Sequence, residues 1–446
     1  MRIRLDSIGC RLNIGEIEAM ARCLAARGHS IVSQGDAADL CILNTCTVTA
    51  IASKKSRAFI RQLRRRNPGA RVIATGCLAE LEPDSLAPLG VDLVVGNDAK
   101  DALPEILADR GWLTQDGVEP DPPAASGART RAFLKVQDGC DNRCTFCVVT
   151  IARGSGRSIR TDEILTEIRG LVALGYREVV LSGVHLGSYG HDLGQTRGLE
   201  HLVLAILAET EVPRLRLSSL EPWDLDPEFF RIFNDSRVLP HLHLPLQSGC
   251  DATLARMARK TTVRGFADLV DAARTVNPDI AVSTDVMVGF PGETDDEFAT
   301  SIDTVASLGF SKLHVFRYSR REGTRAAAMP AQVPGPVATD RSARMHDLGA
   351  RLASEFHHRF VGRKLDVLWE DAEEIGDQRR WSGLTGNYIR VLTETPVGVD
   401  LANTITPVEL EACVPGAMVG SIPGVSSSAI ESASRRQGVS LPLRES

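Results

Sequence analysis

Six of the ten cysteines in this 446-residue chain fall into two groups whose spacing could do chemistry. Cys140, Cys144 and Cys147 stand in C-x3-C-x2-C spacing within Asp138-Gly139-Cys140-Asp141-Asn142-Arg143-Cys144-Thr145-Phe146-Cys147. A structural zinc site takes four protein ligands, commonly two Cys pairs, and no fourth local ligand is present. A cubane 4Fe–4S cluster also takes four thiolates. Three would leave one iron open to a substrate or cofactor. A loop is a poor place to bury three thiols for packing alone. The second group, Cys10, Cys46 and Cys77, is scattered, and each member follows a predicted strand: Ile8-Gly9-Cys10, Asn44-Thr45-Cys46 and Thr75-Gly76-Cys77. The carboxyl ends of parallel strands share one sheet edge, where ligands bind, so these thiols can converge. Gly9 and Gly76 would let the backbone approach a bulky group closely. Cys23 and Cys41 have apolar neighbours and read as core, and Cys250 and Cys413 as structural.

The elements that must position these residues alternate between strand and helix. Short strands are predicted over 3–8, 40–43, 72–74 and 93–95. Ile17, Met20, Ala21 and Leu24 recur at helical spacing, and a helix over 50–66 ends at Asn67-Pro68-Gly69. This predicts a doubly wound parallel sheet over residues 1–108. A Pro/Gly-rich linker follows over 109–130. Six further strand–helix units, with strands over 133–136, 178–181, 214–218, 241–244, 281–286 and 312–316, predict a partial (β/α) barrel over 131–361. Short β-rich runs then predict a small β-barrel over 362–425. The polar stretch 426–446 is expected to be disordered.

The formal net charge of −6 by itself predicts no polyanion partner. Its distribution permits one. The 50–66 helix places Arg57, Arg61, Arg64 and Arg65 on one stripe, beside Lys54, Lys55 and Arg66. Arg143, Arg153, Arg157 and Arg160 surround the C-x3-C-x2-C loop. The C-terminal unit is acidic, with four Lys/Arg against ten Asp/Glu between Lys364 and Glu411. Its plausible RNA contacts are Arg379, Arg380, Tyr388 and Arg390. No apolar run approaches the roughly 18–20 residues of a membrane span, and the N-terminus has no signal-peptide apolar region. A cytoplasmic location with reduced thiols is expected, with no membrane contact.

The two triads, in this order and spacing, resemble the methylthiotransferases of the radical S-adenosylmethionine (SAM) superfamily. The likeness covers nearly the whole chain and implies an N-terminal methylthiotransferase domain, a radical SAM barrel and a C-terminal TRAM domain. It implies two 4Fe–4S clusters, one on Cys10, Cys46 and Cys77 and one on Cys140, Cys144 and Cys147. SAM would be held at strand ends by Gly183, Gln247 and Asp285. The segments Asn44-Thr45-Cys46-Thr47-Val48-Thr49, Arg216-Leu217-Ser218-Ser219-Leu220-Glu221-Pro222 and His243-Leu244-Pro245-Leu246-Gln247-Ser248-Gly249 look like the branch acting on N6-threonylcarbamoyladenosine in tRNA. Two stretches depart from the pattern: Val149-Thr150-Ile151 replaces an aliphatic-Pro-aromatic run, and Gly15 stands where a larger residue is usual.

The implied reaction adds a methylthio group to C2 of the adenine at position 37. Implied partners are tRNA, an electron donor such as a flavodoxin or ferredoxin, and a sulfur donor. Other branches act on isopentenyladenosine in tRNA or on a ribosomal-protein aspartate. A non-catalytic RNA-binding metalloprotein is the alternative outside enzymes. No acid–base catalyst stands out.

Overall fold

The computed structural model describes residues 1–113 and 130–424. Most of the expected linker, and the expected tail over 426–446, lie outside them. The first unit runs β1 (Arg2–Ser7), α1 (Arg11–Ala26), β2 (Ser30–Ile31), β3 (Leu40–Thr45), α2 (Ala50–Arg66), β4 (Arg71–Gly76), α3 (Cys77–Leu81), β5 (Leu93–Val95) and α4 (Leu103–Asp109). Its strands form a parallel sheet in the order β2-β1-β3-β4-β5. All six residues of β3, Leu-Cys-Ile-Leu-Asn-Thr, are buried, as a central parallel strand covered on both faces requires. Ile17, Met20 and Leu24 of α1 are buried at the expected helical spacing. Thr49 starts α2 by accepting the Ala52 N–H.

The second unit runs β6 (Arg131–Asp138), α5 (Val149–Arg153), β7 (Arg157–Ser158), α6 (Thr161–Ala173), β8 (Glu178–Gly183), α7 (Gly198–Glu209), β9 (Arg214–Leu217), β10 (His241–His243), α8 (Asp251–Arg256), α9 (Val263–Val276), β11 (Ala281–Val288), α10 (Asp295–Leu308), β12 (Lys312–Arg317) and α11 (Gly335–His358). The sheets β7-β6-β8-β9 and β10-β11-β12 are joined by parallel bridges Leu215↔Val238 and Ser219↔His243. Apart from antiparallel β7, the strands pair in parallel. The period-2 alternation sorts side chains cleanly. Ala132, Leu134, Val136, Val179, Leu181, Leu215, Leu217 and Leu242 join the core beneath the helices. Their neighbours Arg131, Phe133, Lys135, Glu178, Arg214, Arg216, His241 and His243 therefore face the lumen.

Helix α1 of the first unit packs on the lumenal side of β6. A Cβ on Gly15 would lie 2.4 Å from the Phe133 carbonyl oxygen. The small residue at this position is thus the condition for close docking of helix on strand.

The third unit is a closed barrel of β13 (Lys364–Ile375), β14 (Gln378–Thr385), β15 (Arg390–Pro396), β16 (Ile405–Val414) and β17 (Ala417–Ser421), in the order β13-β14-β15-β17-β16. Trp369, Trp381, Val391, Val408 and Met418 fill its core. Its β14–β15 turn covers the amino ends of the partial-barrel strands. Arg216 donates to the Gly386 carbonyl at 2.9 Å and Arg214 to the Leu384 carbonyl at 3.2 Å. Tyr388 does not stand ready to stack on RNA. Its ring lies against His241 (4.6 Å between centroids) and Arg216 (4.2 Å), and its hydroxyl accepts from Arg131 at 2.9 Å. Of the other residues expected there, Arg379 pairs with Glu374, Arg380 with Glu394, and Arg390 donates to Ser382.

The α/β class and the three-part layout of sheets agree with the sequence. Among the described residues no helix is long and apolar enough to cross a membrane. Gly15→Ala is expected to destabilise the protein, because overpacking costs of about 1–3 kcal/mol exceed the helix-propensity gain of about 1 kcal/mol. Gly170→Ala in α6, with nothing within 4 Å of the added atom, should instead stabilise by about 0.5–1 kcal/mol. Urea unfolding of the two variants gives the opposite signs their test.

Candidate active site

Strands β1, β3 and β4 are neighbours, so the residues that leave their carboxyl ends are neighbours too. Cys10 precedes α1, Cys46 follows β3, and Cys77 opens α3. Gly9 has φ +123°, and a Cβ there would sit 2.7 Å from Cys46 Cβ and 3.0 Å from its Sγ. Gly76 has φ +91°, and its Cβ would meet Asn44 Oδ1 at 2.2 Å. These two glycines bring the three loops together. Cys10 is an exposed residue whose Sγ lies 3.7 Å from Asn13 Oδ1, and burial of the thiol raises it above its ordinary value. Burial pushes the Cys46 thiol up to about 12, with Cys10 and Cys77 adding to the rise.

The second trio lies on the loop between β6 and α5. Gly139, at φ +71°, allows the turn, since a Cβ would fall 1.9 Å from the Ser155 oxygen. Backbone N–H groups point at the sulfurs: Asn142 donates to Cys140 Sγ and Val149 to Cys147 Sγ, each at 3.4 Å. Arg259 approaches Cys144 Sγ at 3.9 Å while gripping both oxygens of Glu221. Burial pushes Cys147 up to about 12. Such thiols are neutral when free, and a bound metal must displace their protons. Among the described residues no trio of His, Cys, Asp or Glu is arranged to hold a single metal ion. An iron–sulfur cluster, whose irons occupy separate corners, would take its thiolates at separate points rather than around one ion.

A buried charge network links the two trios. Arg153, only 3% exposed, reaches from α5 into the first unit. It donates to Glu16 Oε1 at 3.0 Å, to Asn13 Oδ1 at 2.9 Å and to Asp138 Oδ1 at 2.9 Å. Lys100 meets the other Glu16 oxygen at 2.7 Å. Arg153 and Lys100 hold the Glu16 carboxyl well below the usual range despite its burial. Asn97 adds a 2.6 Å bond to the Ala152 carbonyl across the same seam. Asn13 thus touches Cys10 on one side and Arg153 on the other, and Arg153 closes the helix that follows Cys147.

Residues 2–96 match the family described as "Uncharacterized protein family UPF0004", and residues 134–305 match the Radical SAM superfamily. The chain is 36% identical over 420 residues to the threonylcarbamoyladenosine tRNA methylthiotransferase MtaB of Bacillus subtilis (89% of this chain, 92% of that one). It belongs to the radical SAM methylthiotransferase family. A tRNA-2-methylthio-N(6)-dimethylallyladenosine synthase of Novosphingobium aromaticivorans is 37% identical over 82% of this chain and 86% of its own length. Among solved structures, the radical SAM methyltransferase TsrM of Kitasatospora setae shares the fold, with TM-score 0.55 over 73% of this chain and 77% of that chain at 14% identity.

Radical SAM chemistry brings SAM and a 4Fe–4S cluster to this methylthiotransferase. The residues expected to contact SAM sit around the lumen. Gly183 ends β8, where an added Cβ would press on Gln137 and Leu186 at 3.0–3.2 Å. Gln247 follows β10 at φ +73°. That backbone costs of order 1–3 kcal/mol in a non-glycine residue. It is held by paired backbone bonds, Gln247 N–H to Asp285 O and Met287 N–H to Gln247 O, both at 2.8 Å. Asp285 lies inside β11 rather than at its end, 3.3 Å from His243 Nε2.

The basic groups split differently from the sequence expectation. Arg57 pairs with Glu82, and Arg64 with Asp92 at 2.8 Å. They fasten α2 to its own domain, leaving Lys54, Lys55, Arg61, Arg65 and Arg66 exposed. Arg153, expected on a basic surface, is instead the interdomain cation. His185 had no local signal. Against the effect of burial, Asp224 at 2.5 Å and the adjacent Cys140 hold it up to about 10. Arg259 was equally silent in sequence, because its partner Glu221 lies far away along the chain.

Arg153→Met is expected to cost about 1–3 kcal/mol by removing the charged donor that Glu16, Asn13 and Asp138 share, although Lys100 still holds Glu16. The exposed, paired Arg160→Met should leave the urea midpoint unchanged. Glu178, between Arg216 (2.7 Å) and Arg214 (3.0 Å), is brought down to about 2 against its burial. A depressed carboxylate stabilises fully above the free Glu value of about 4.3 and loses that stabilisation as pH falls through the folded value. Unfolding midpoints should therefore drop between about pH 4 and 2, and Glu178→Gln should flatten that drop.

Proposed function

We propose that the chain is a tRNA-modifying enzyme that adds a methylthio group to C2 of N6-threonylcarbamoyladenosine at position 37, beside the anticodon. The observation that carries the reading is the pairing of two open-ended Cys trios across one buried ion network, with Asn13 and Arg153 between them. In this reading Cys140, Cys144 and Cys147 hold one 4Fe–4S cluster, and Cys10, Cys46 and Cys77 hold a second. When bound, the first cluster with SAM supplies the electron that splits SAM and so the radical that takes hydrogen from an unactivated C–H bond. Gly183, Gln247 and Asp285 orient SAM from the lumen wall. Arg259 keeps a fixed cation beside Cys144, with its charge balanced by Glu221. The β14–β15 turn closes the lumen from below and limits water. The exposed cations of α2 beside the Cys46 loop suit phosphate contacts with tRNA. A one-electron donor, such as a flavodoxin or ferredoxin, and a sulfur donor are required by the stoichiometry. The third unit takes the part of the expected TRAM domain, and the cytoplasm is the setting.

Relatives of similar identity act, by their names, on the dimethylallyl nucleoside, which makes isopentenyladenosine the second reading. The test is anaerobic reconstitution with SAM, reductant and tRNA bearing one or the other modification, followed by nucleoside mass spectrometry. The methylthio product is expected on the threonylcarbamoylated tRNA only; product on the isopentenylated tRNA alone overturns the substrate choice. Cys46→Ala should lower bound iron by about half yet keep reductive SAM cleavage, whereas Cys140→Ala should lose that cleavage.

A further inference from the structure

The lumen floor holds more cations than carboxylates. Arg11, Arg131, Arg214 and Arg216 approach or surround the Tyr388 and Glu178 side chains there, against Glu178 and Glu370. Arg131 is taken by Glu370 at 2.6 Å, and Arg214 and Arg216 by Glu178. Arg11 is different. Its guanidinium lies over the Tyr388 ring at 5.1 Å, and no carboxylate of the described residues pairs with it. It is only partly buried, so a ligand can reach it. The adjacent His241 has a buried Nδ1 with no hydrogen-bond partner, and burial together with Arg216 and Arg11 holds its ring well below the ordinary value. A neutral histidine beside an unneutralised arginine marks a place that lacks an anion.

Position in the chain adds a second argument. Arg11 directly follows Cys10. In adenine, C2 and C6 flank N1 on the same edge of the ring. A base presented for sulfur transfer to C2 near Cys10 must present its N6 substituent to whatever lies beside Cys10. The threonylcarbamoyl group ends in a carboxylate, and the isopentenyl group has no charge.

We infer that Arg11 binds the carboxylate of the threonylcarbamoyl substituent and so selects this nucleoside over isopentenyladenosine. The assignment rests on the proposed function above. A guanidinium stacked on a ring is held with its N–H edge free for bidentate contact with a carboxylate. A charge-assisted pair with a carboxylate is stronger than a hydrogen bond to a neutral group, which gives the carboxylate its advantage at this arginine.

The test uses fluorescence anisotropy of the reconstituted enzyme with anticodon stem-loop RNAs carrying N6-threonylcarbamoyladenosine, its neutral carboxamide counterpart, or isopentenyladenosine. Wild type should prefer the carboxylate over the carboxamide by about tenfold or more, the scale of one charge-assisted hydrogen bond. Arg11→Gln should bind both alike and leave the affinity for the isopentenyl RNA unchanged. Arg11→Lys should restore part of the preference, and iron content and circular dichroism confirm folding of each variant. If wild type discriminates and Arg11→Gln still does, or if Arg11→Gln weakens all three RNAs equally, the Arg11 assignment falls while the substrate reading stands. If wild type shows no preference for the carboxylate and modifies only isopentenyl RNA, both fall.

Discussion

Glu16 is the constraint on which the rest of the structure depends. Its carboxylate is almost wholly removed from water and is shared between Lys100 of its own domain and Arg153 of the barrel domain. A lone buried carboxylate is costly, by several kcal/mol even after relaxation. Lys100 and Asn44 of its own domain bind one oxygen, and Arg153 binds the other from across the seam. The two domains are therefore held in one relative placement. That placement ties Cys10, three residues before Asn13 of the network, to the helix that follows Cys147 and ends in Arg153. The spacing between the two trios is in this sense a property of one carboxylate.

The lumen follows the same logic at larger scale. Many strand residues that alternate away from the helix layer are polar, and several of them pair with one another. Glu178 satisfies two arginines, His243 faces Asp285, and Ser283 bridges His241 and His243 at 3.2 and 3.0 Å. These pairs keep fixed dipoles where a reactive intermediate would otherwise meet solvent. The strained Gln247 backbone belongs to this wall. It is retained because two strand-like hydrogen bonds overdetermine it.

Much of this was legible in the sequence. All six partial-barrel strands fall on the expected segments, because continuous apolar stretches between helical periods have few other ways to fold. The placement of Cys10, Cys46 and Cys77 after neighbouring strands was legible too, since each follows a short apolar run. What was not legible depends on distance. Arg153 reads as a surface cation because its partner Glu16 lies in another domain. Tyr388 reads as an exposed aromatic for the same reason, its partners being Arg131, Arg216 and His241. Gly15 reads as a departure from pattern, and only the proximity of the Phe133 carbonyl turns it into a requirement. Charge on α2 was counted correctly, but the tethering of Arg57 and Arg64 to nearby loops could not be seen from helical periodicity.

The turn bearing Tyr388 has a consequence for how the molecule is made. The residues that close the floor of the lumen come late in the chain, well after both trios have left the ribosome. Domains fold as units in the order of synthesis. The nascent protein therefore passes through a stage in which the first sheet and the partial barrel have docked while the chamber is still open at its base.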